Sequence, residues 1–366
     1  MITDIFLLQL FADSGTLVNT SVNYVNAYTG SPTSFDGTNT LAGELKTFYD
    51  TEMLENARVE MFYAQFAKRQ PLPQGRGKTV EWRKWNTFAK ADKLTEGVIP
   101  TGQKFGMSSK TGAINQYGTY AAVSDVLEMR AYDDVILGAT EEMGASLAET
   151  QETLIRDALL TNTNVLYCDN ITLATGAVAS TPTSCATMEA STTAMSMMTP
   201  DMVAKAVTKL KKDRVPTING KYYAVIHPSV AYDLRKSDAW IEAHKYAATT
   251  EIFNGEIGEL HGCRFIENVF APILGGTTYQ NKASTVTYAT YFFGKDAFGI
   301  IDPDGGAAQM IVKSKEQVGG PLNQFSTIGY KFETNGATIL YTERMLRVMS
   351  CSAFSATDTA NYTDGD

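Results

Sequence analysis

Histidine is scarce in this chain of 366 residues, with three copies, His227, His244 and His261. No two of them stand three or four apart, so no helix face carries a pair of metal ligands. Cysteine is limited to Cys168, Cys185, Cys263 and Cys351. They form no C-x-x-C pair and match no zinc spacing, so they read as free, reduced thiols, as in a cytoplasm. A Cys168–Cys185 bridge is the one pairing that the intervening loop allows. No G-x-S-x-G occurs, and no base and orienting group mark a nucleophile. "GRGKT", Gly75 to Thr79, lacks a phosphate loop's first glycine, since Leu72 stands five residues before Gly77 and no aliphatic strand precedes it. "DPDGG", Asp302 to Gly306, offers two carboxylates to a calcium ion but has neither the length nor the closing Glu of an EF-hand, and it reads as a plain turn. Neither cofactor nor bound metal is expected, and the chain does not read as an enzyme.

Positive charge is also in short supply. Lysine and arginine number 31 against 40 acidic residues, for a net charge of −9. Wrapping or tracking nucleic acid needs clustered basic residues that displace counterions, and that is excluded. Trp82 and Trp85 beside Arg83 and Lys84 carry the chemistry to stack bases. Aromatics and arginine are equally what protein interfaces favour, and the low basic count selects that reading. No window approaches the roughly 20 apolar residues of a membrane span. The apolar run Ile5 to Ala12 follows Asp4, where a signal peptide wants a basic residue. The sequence reads as soluble, with no membrane partner.

What is present is a chain long enough for a large core and more than one domain. Asp13 to Thr40 is rich in Ser, Thr, Asn and Gly and reads as an extended arm. Leu41, Leu45, Phe48, Ala57, Met61 and Phe66 fall near helical spacing, with Pro71 and Pro73 as stops. Asp133 to Thr161 is the strongest helix. Ile136, Ala139, Met143, Leu147, Thr150, Leu154 and Ala158 make its apolar seam, with Asp133 and Asp134 at its start. Glu141, Glu142, Glu149 and Glu152 read as its solvated side. Residues 174–199, biased to Ala, Ser, Thr and Met, read as a loop or weak surface hairpin. Thr199-Pro200-Asp201 opens a second helix. "KYYAVIHPS" reads as a buried strand, with short helices over Val230 to Lys236 and Trp240 to Ala247. Ile257 to Asn268, Val286 to Val312 and Thr327 to Ser350 supply further strands, and Ser352 to Asp366 a polar tail. The fold class is α+β.

The segment from Gly77 to Val123 is the oddest. Strands over Thr79 to Trp85 and Ile114 to Val123 flank "TEGVIPTGQ", a tip with Gly97, Pro100 and Gly102 as turn residues. Ten residues per arm reach about 33 Å. A compact chain of this length has a radius of gyration of about 21 Å. A two-stranded ribbon with few aliphatic side chains is marginal alone in water. A partner surface must therefore cover it, and copies of the same chain are the simplest supply.

Several stretches carry a specific resemblance: "LKTFYDTEMLENA" (Leu45 to Ala57), "GKTVEWRKW" (Gly77 to Trp85), "LTEGVIPTGQ" (Leu94 to Gln103), "QYGTYAAVSDVLEM" (Gln116 to Met129) and "TNTNVLYC" (Thr161 to Cys168). "IGELHGCRFIEN" and "GYKFETNGATILYTERMLRV" extend it to about residues 41–350. In order and spacing these resemble tailed-phage major capsid proteins of the HK-ninety-seven-like fold. More narrowly, they are similar to the family of the phage N-four gene-product-fifty-six capsid protein. The resemblance implies an N-terminal arm and helix (1–71), an extended loop (72–123) and a peripheral domain (117–163 with 322–353) that includes a spine helix (133–161). It also implies an axial domain (164–321) and a tail (354–366); residues 174–199 have no counterpart in it. The implied function is self-assembly into hexamers and pentamers of an icosahedral virion shell, in the host bacterial cytoplasm, around double-stranded DNA that it does not bind by sequence. A portal and scaffold or decoration proteins are the implied further partners. Contacts between subunits fall to the extended loop, at Trp82, Arg83, Trp85, Lys93, Thr95, Glu96, Gly97, Gln103 and Lys104. Two alternatives stay open: an encapsulin-like cellular cage of the same fold, and a metal-dependent enzyme that gathers His227, His244 and His261.

Overall fold

The structure is a computed structural model that describes residues 18–19, 62–86, 88–91, 93–94, 96–97, 99, 102–130, 135–237, 240, 256–306, 308–318, 322–355 and 358–363. The expected arm over Asp13 to Thr40 apart from Val18–Asn19, nearly all of the first helix, the caps Asp133 and Asp134, and the helix expected over Trp240 to Ala247 apart from Trp240, with His244, lie outside the described residues.

A seven-stranded mixed sheet forms the centre. Its main path runs Glu256–Leu260, Cys263–Glu267, Tyr222–Ile226, Thr287–Phe293, Met345–Ser350, Val165–Tyr167, and Ile273–Leu274 pairs with Thr287–Phe293. Every residue of Thr287–Phe293 is buried, because both faces of this strand are covered. Side chains alternate along a strand, so Tyr288 and Phe292 join one core while Ala289, Tyr291 and Phe293 join the other. The first core is roofed by helices Pro200–Lys212 and Pro228–Lys236 through Val203, Val207, Leu210, Val230 and Leu234. The expected cap holds there: Thr199 accepts from the Met202 N–H at 3.3 Å. The second core receives Tyr63, Phe66, Ile155 and Leu159.

The long helix spans Val135–Leu159, 25 residues and about 37 Å. Its C-terminal end plugs the second core, while Leu147 and Ala148 pack on Met310, Ile328, Tyr330 and Phe332 of a separate four-stranded sheet. That sheet runs Val18–Asn19, Asn115–Ser124, Phe325–Thr334, Gln309–Lys313. The helix therefore touches two cores, which a single seam did not foretell. Glu152, read as solvated, is fully buried at the second contact.

Four further expectations are corrected. The strand that returns beside Thr79–Trp85 is Met107–Ala113, and Asn115–Ser124 leaves the ribbon to pair along its ten residues with Phe325–Thr334. Met345–Ser350, grouped in sequence with the peripheral strands, lies inside the central sheet between Thr287–Phe293 and Val165–Tyr167. Tyr63–Phe66 is one 3-10 turn, and Lys68–Leu72 then runs parallel to Phe298–Pro303, so Pro71 sits in an edge strand instead of ending a helix. Residues 174–199 are anchored in the body: Met188 and Met198 are buried, and Val178–Ser180 and Ala194–Met195 flank Asn170–Thr172 in a small sheet. All four cysteines are buried free thiols. The polar tail is docked too: the Asn361 side chain accepts from the Ile273 N–H at 2.9 Å and donates to the Ala271 carbonyl at 3.1 Å.

Candidate interaction ribbon

The ribbon is built by seven antiparallel pairs, from Thr79 opposite Ala113 to Trp85 opposite Met107. The ladder extends one bond further at each end. The Asn86 N–H donates to the Gly106 carbonyl at 2.9 Å, and the Ile114 N–H donates to the Lys78 carbonyl at 3.0 Å. Among the described residues, it is the root of the ribbon that packs on its own subunit. Val80 and Trp82, two apart and so on one face, are half-buried. Trp82 lies over Gly112 and Gly299. A Cβ on either glycine would approach the indole to 2.9 and 3.0 Å, and that is why side-chain-free positions stand there. The indole Nε1 is buried without a partner. Nearby, the Lys84 ammonium sits 4.6 Å from the centre of the Tyr341 ring, and the Arg344 guanidinium 3.7 Å from it.

Beyond the root the ribbon stands free. Trp85 is 59% exposed and stacks on Phe105 at 4.2 Å between ring centres. Phe88 stacks on the same ring at 5.4 Å. Leu94 and Ile99 are still more exposed, Ile99 at 93%. Glu96 and Gly97 form the turn at the tip, and Gly97 takes φ +79°, a left-handed conformation that glycine adopts freely. Gln103 donates from its side chain to the Ala89 carbonyl at 3.3 Å, bracing the two arms. Lys93, Glu96 and Lys104 are exposed. Arg83 pairs with Glu81 at 3.3 Å. The Glu81 carboxyl is held below its usual range by a hydrogen bond with Ser109 and by Arg83.

The expected contact residues therefore divide. Trp85, Lys93, Glu96, Gly97, Gln103 and Lys104 lie on the free part, Arg83 is exposed at the root, Trp82 is turned onto its own subunit, and Thr95 lies outside the described residues. Phe88, Leu94, Ile99, Phe105 and Met107 went unmarked, although they are the apolar surface of the free part. The signal was available: apolar residues recur on both arms of a segment that has no core of its own to enter.

The remaining motifs serve the fold. "GRGKT" is a turn with Gly75 at φ +77° and Gly77 at φ +92°, and it shares a cleft of about 490 Å³ with "DPDGG". Asp302 pairs with Arg69 at 3.6 Å. His227 accepts the Ser229 N–H at the start of its helix, and burial lowers its pKa. His261 occupies a tight turn at φ +53°. Among the described residues no group of three His, Cys, Asp or Glu is placed to hold a metal ion.

A family model described as phage capsid protein matches residues 108–340, well over half of the chain. The chain belongs to the phage capsid protein family. Solved structures agree on the fold of this capsid protein. The capsid of Ralstonia phage GP4 superposes with a TM-score of 0.57 at 14% identity, covering 80% of this chain and 88% of that one. The head of Helicobacter pylori bacteriophage KHP40 gives 0.55 at 10% identity over 89% and 99%, and Mycobacterium phage Che8 gives 0.54 at 14% over 79% and 91%. Among curated proteins nothing matches. The capsid protein has the HK-ninety-seven-like fold and is a structural component of the phage virion, a major capsid protein.

Proposed function

We propose that copies of this capsid protein associate into hexamers and pentamers of an icosahedral shell, with the free part of the ribbon laid across the neighbouring copy. One observation carries this reading. The ribbon is fastened at its root by Trp82, yet it presents Trp85, Phe88, Leu94, Ile99 and Phe105 to water. A two-stranded ribbon gains little from such a surface unless another molecule covers it. The net charge of −9 suits a wall that encloses double-stranded DNA without gripping it. The reading extends to the division into arm, extended loop, spine, peripheral and axial parts, and to membership of the phage N-four capsid subfamily. It also covers assembly in the bacterial cytoplasm beside a portal and scaffold or decoration proteins. The family match favours a phage shell over a cellular cage.

The test is electron microscopy of the protein expressed alone, beside a variant in which residues 86–106 are replaced by Asn-Gly. Shells from the full chain and folded, unassembled subunits from the variant are expected. Normal shells from the variant would overturn the role of the ribbon. Elemental analysis of the purified protein addresses the enzyme alternative, which a stoichiometric metal would revive.

A further inference from the structure

Glu152 lies on the long helix with a fully buried side chain. Its carboxyl accepts the backbone N–H of Phe62 and that of Tyr63, the latter at 3.2 and 3.3 Å to the two oxygens. These amides open the 3-10 turn Tyr63–Phe66, which sets Tyr63 and Phe66 into the second core. Glu152 thus grips the chain at the start of this turn.

The described charged groups around this grip have other partners. Arg156, one turn on, is spent on Asp157 at 2.7 Å and on the Asn361 carbonyl at 3.0 Å. Tyr291 from the central sheet donates its hydroxyl to the Arg156 carbonyl at 3.3 Å. The Tyr63 hydroxyl is buried without a partner. Among the described residues no cation pairs with Glu152, and the donors to its carboxyl are the two amides. A buried carboxylate in that state is costly.

We propose that Glu152 is a protonation-dependent latch that fastens the root of the N-terminal segment to the long helix. Burial lifts its carboxyl from the ordinary 4.5 to about 7, against the opposing pull of the Phe62 and Tyr63 amides. The sign follows. A released carboxyl ionises near 4.5, whereas the fastened one keeps its proton to about 7. Between those values the fastened state binds more protons, so rising pH favours release, by about tenfold per pH unit and roughly 300-fold in all, levelling off above the upper value. The joint is tightest in acid. The latch belongs to one chain and stands apart from the shell reading, which electron microscopy tests separately.

Hydrogen–deuterium exchange of the full-length protein reads the latch directly. Protection of the amides of residues 62–66, corrected for intrinsic rates, is followed from pH 5 to 8.5 against those of Met202 to Leu210 as an internal reference. The wild-type protein is expected to lose protection over residues 62–66 by about tenfold per pH unit up to about 7 and then level, while Glu152→Gln stays flat. A wild-type profile that runs parallel to the reference overturns the proposal, as does an equal slope in the variant. Should Glu152→Gln not fold, the wild-type comparison with the reference segment decides alone.

Discussion

Trp82 and Trp85 stand three apart on one strand and so face opposite ways, and the two alanine variants should separate folding from assembly. Trp82 fills a slot made by Gly112, Gly299 and Leu340 of its own subunit. Truncating a fully buried tryptophan costs about 3–5 kcal/mol. Trp82 is half-buried and leaves an unpartnered Nε1, so Trp82→Ala should cost the isolated subunit about 2 kcal/mol. Trp85 is mostly exposed and stacks on Phe105, itself exposed. Losing that stack is worth about 0.5–1.5 kcal/mol, and it is remote from the core, so Trp85→Ala should shift subunit stability by less than about 1 kcal/mol. At an interface the order reverses. A central aromatic contributes about 2 kcal/mol, which weakens each contact about thirtyfold. Urea titration of unassembled subunits and light scattering of assembling ones measure the two effects. Equal loss of stability in both variants, or unimpaired assembly of Trp85→Ala, would refute the division of the ribbon into a fastened root and a free part.

The slot itself can be probed. Gly299→Val should displace the indole, cost about 1–3 kcal/mol and shift tryptophan fluorescence; an unchanged spectrum counts against the contact. Thr199→Ala should cost about 1 kcal/mol in a urea titration, through the cap lost from helix Pro200–Lys212. The docked tail gives a pH test. Asp358 accepts from Ser355, Tyr288 and Ser229, and these bonds, that to Ser355 foremost, hold its carboxyl below the usual range. Its contribution is therefore present above the ordinary carboxylate pKa and is lost as pH falls through the lowered one. Limited proteolysis should free the tail in acid, and in Asp358→Ala at every pH; equal resistance in both proteins would contradict this.

Local chemistry was legible where it was self-contained. Thr199-Pro200-Asp201 caps its helix through atoms three residues apart, and "KYYAVIHPS" ends its strand at a proline that starts the next helix. Long-range pairing was not. Nothing inside Met345–Ser350 tells which sheet will take it, because a strand buried on both faces looks alike in either. Glu152 escaped for a related reason: one apolar seam fixes one buried face, and the second is created by Tyr63 from far along the chain. At the ribbon, the first strand, Thr79–Trp85, was readable, whereas the returning one was not. The placing of Trp82 and Trp85 on opposite faces follows from strand parity alone. Gly299, more than two hundred residues on, was not readable.

The place of Met345–Ser350 bears on how the protein is made. This strand separates Thr287–Phe293 from Val165–Tyr167, so the central sheet stays split until residues 345–350 have been made. A ribosome that has delivered the ribbon, the long helix and both roofing helices still holds a body that cannot close.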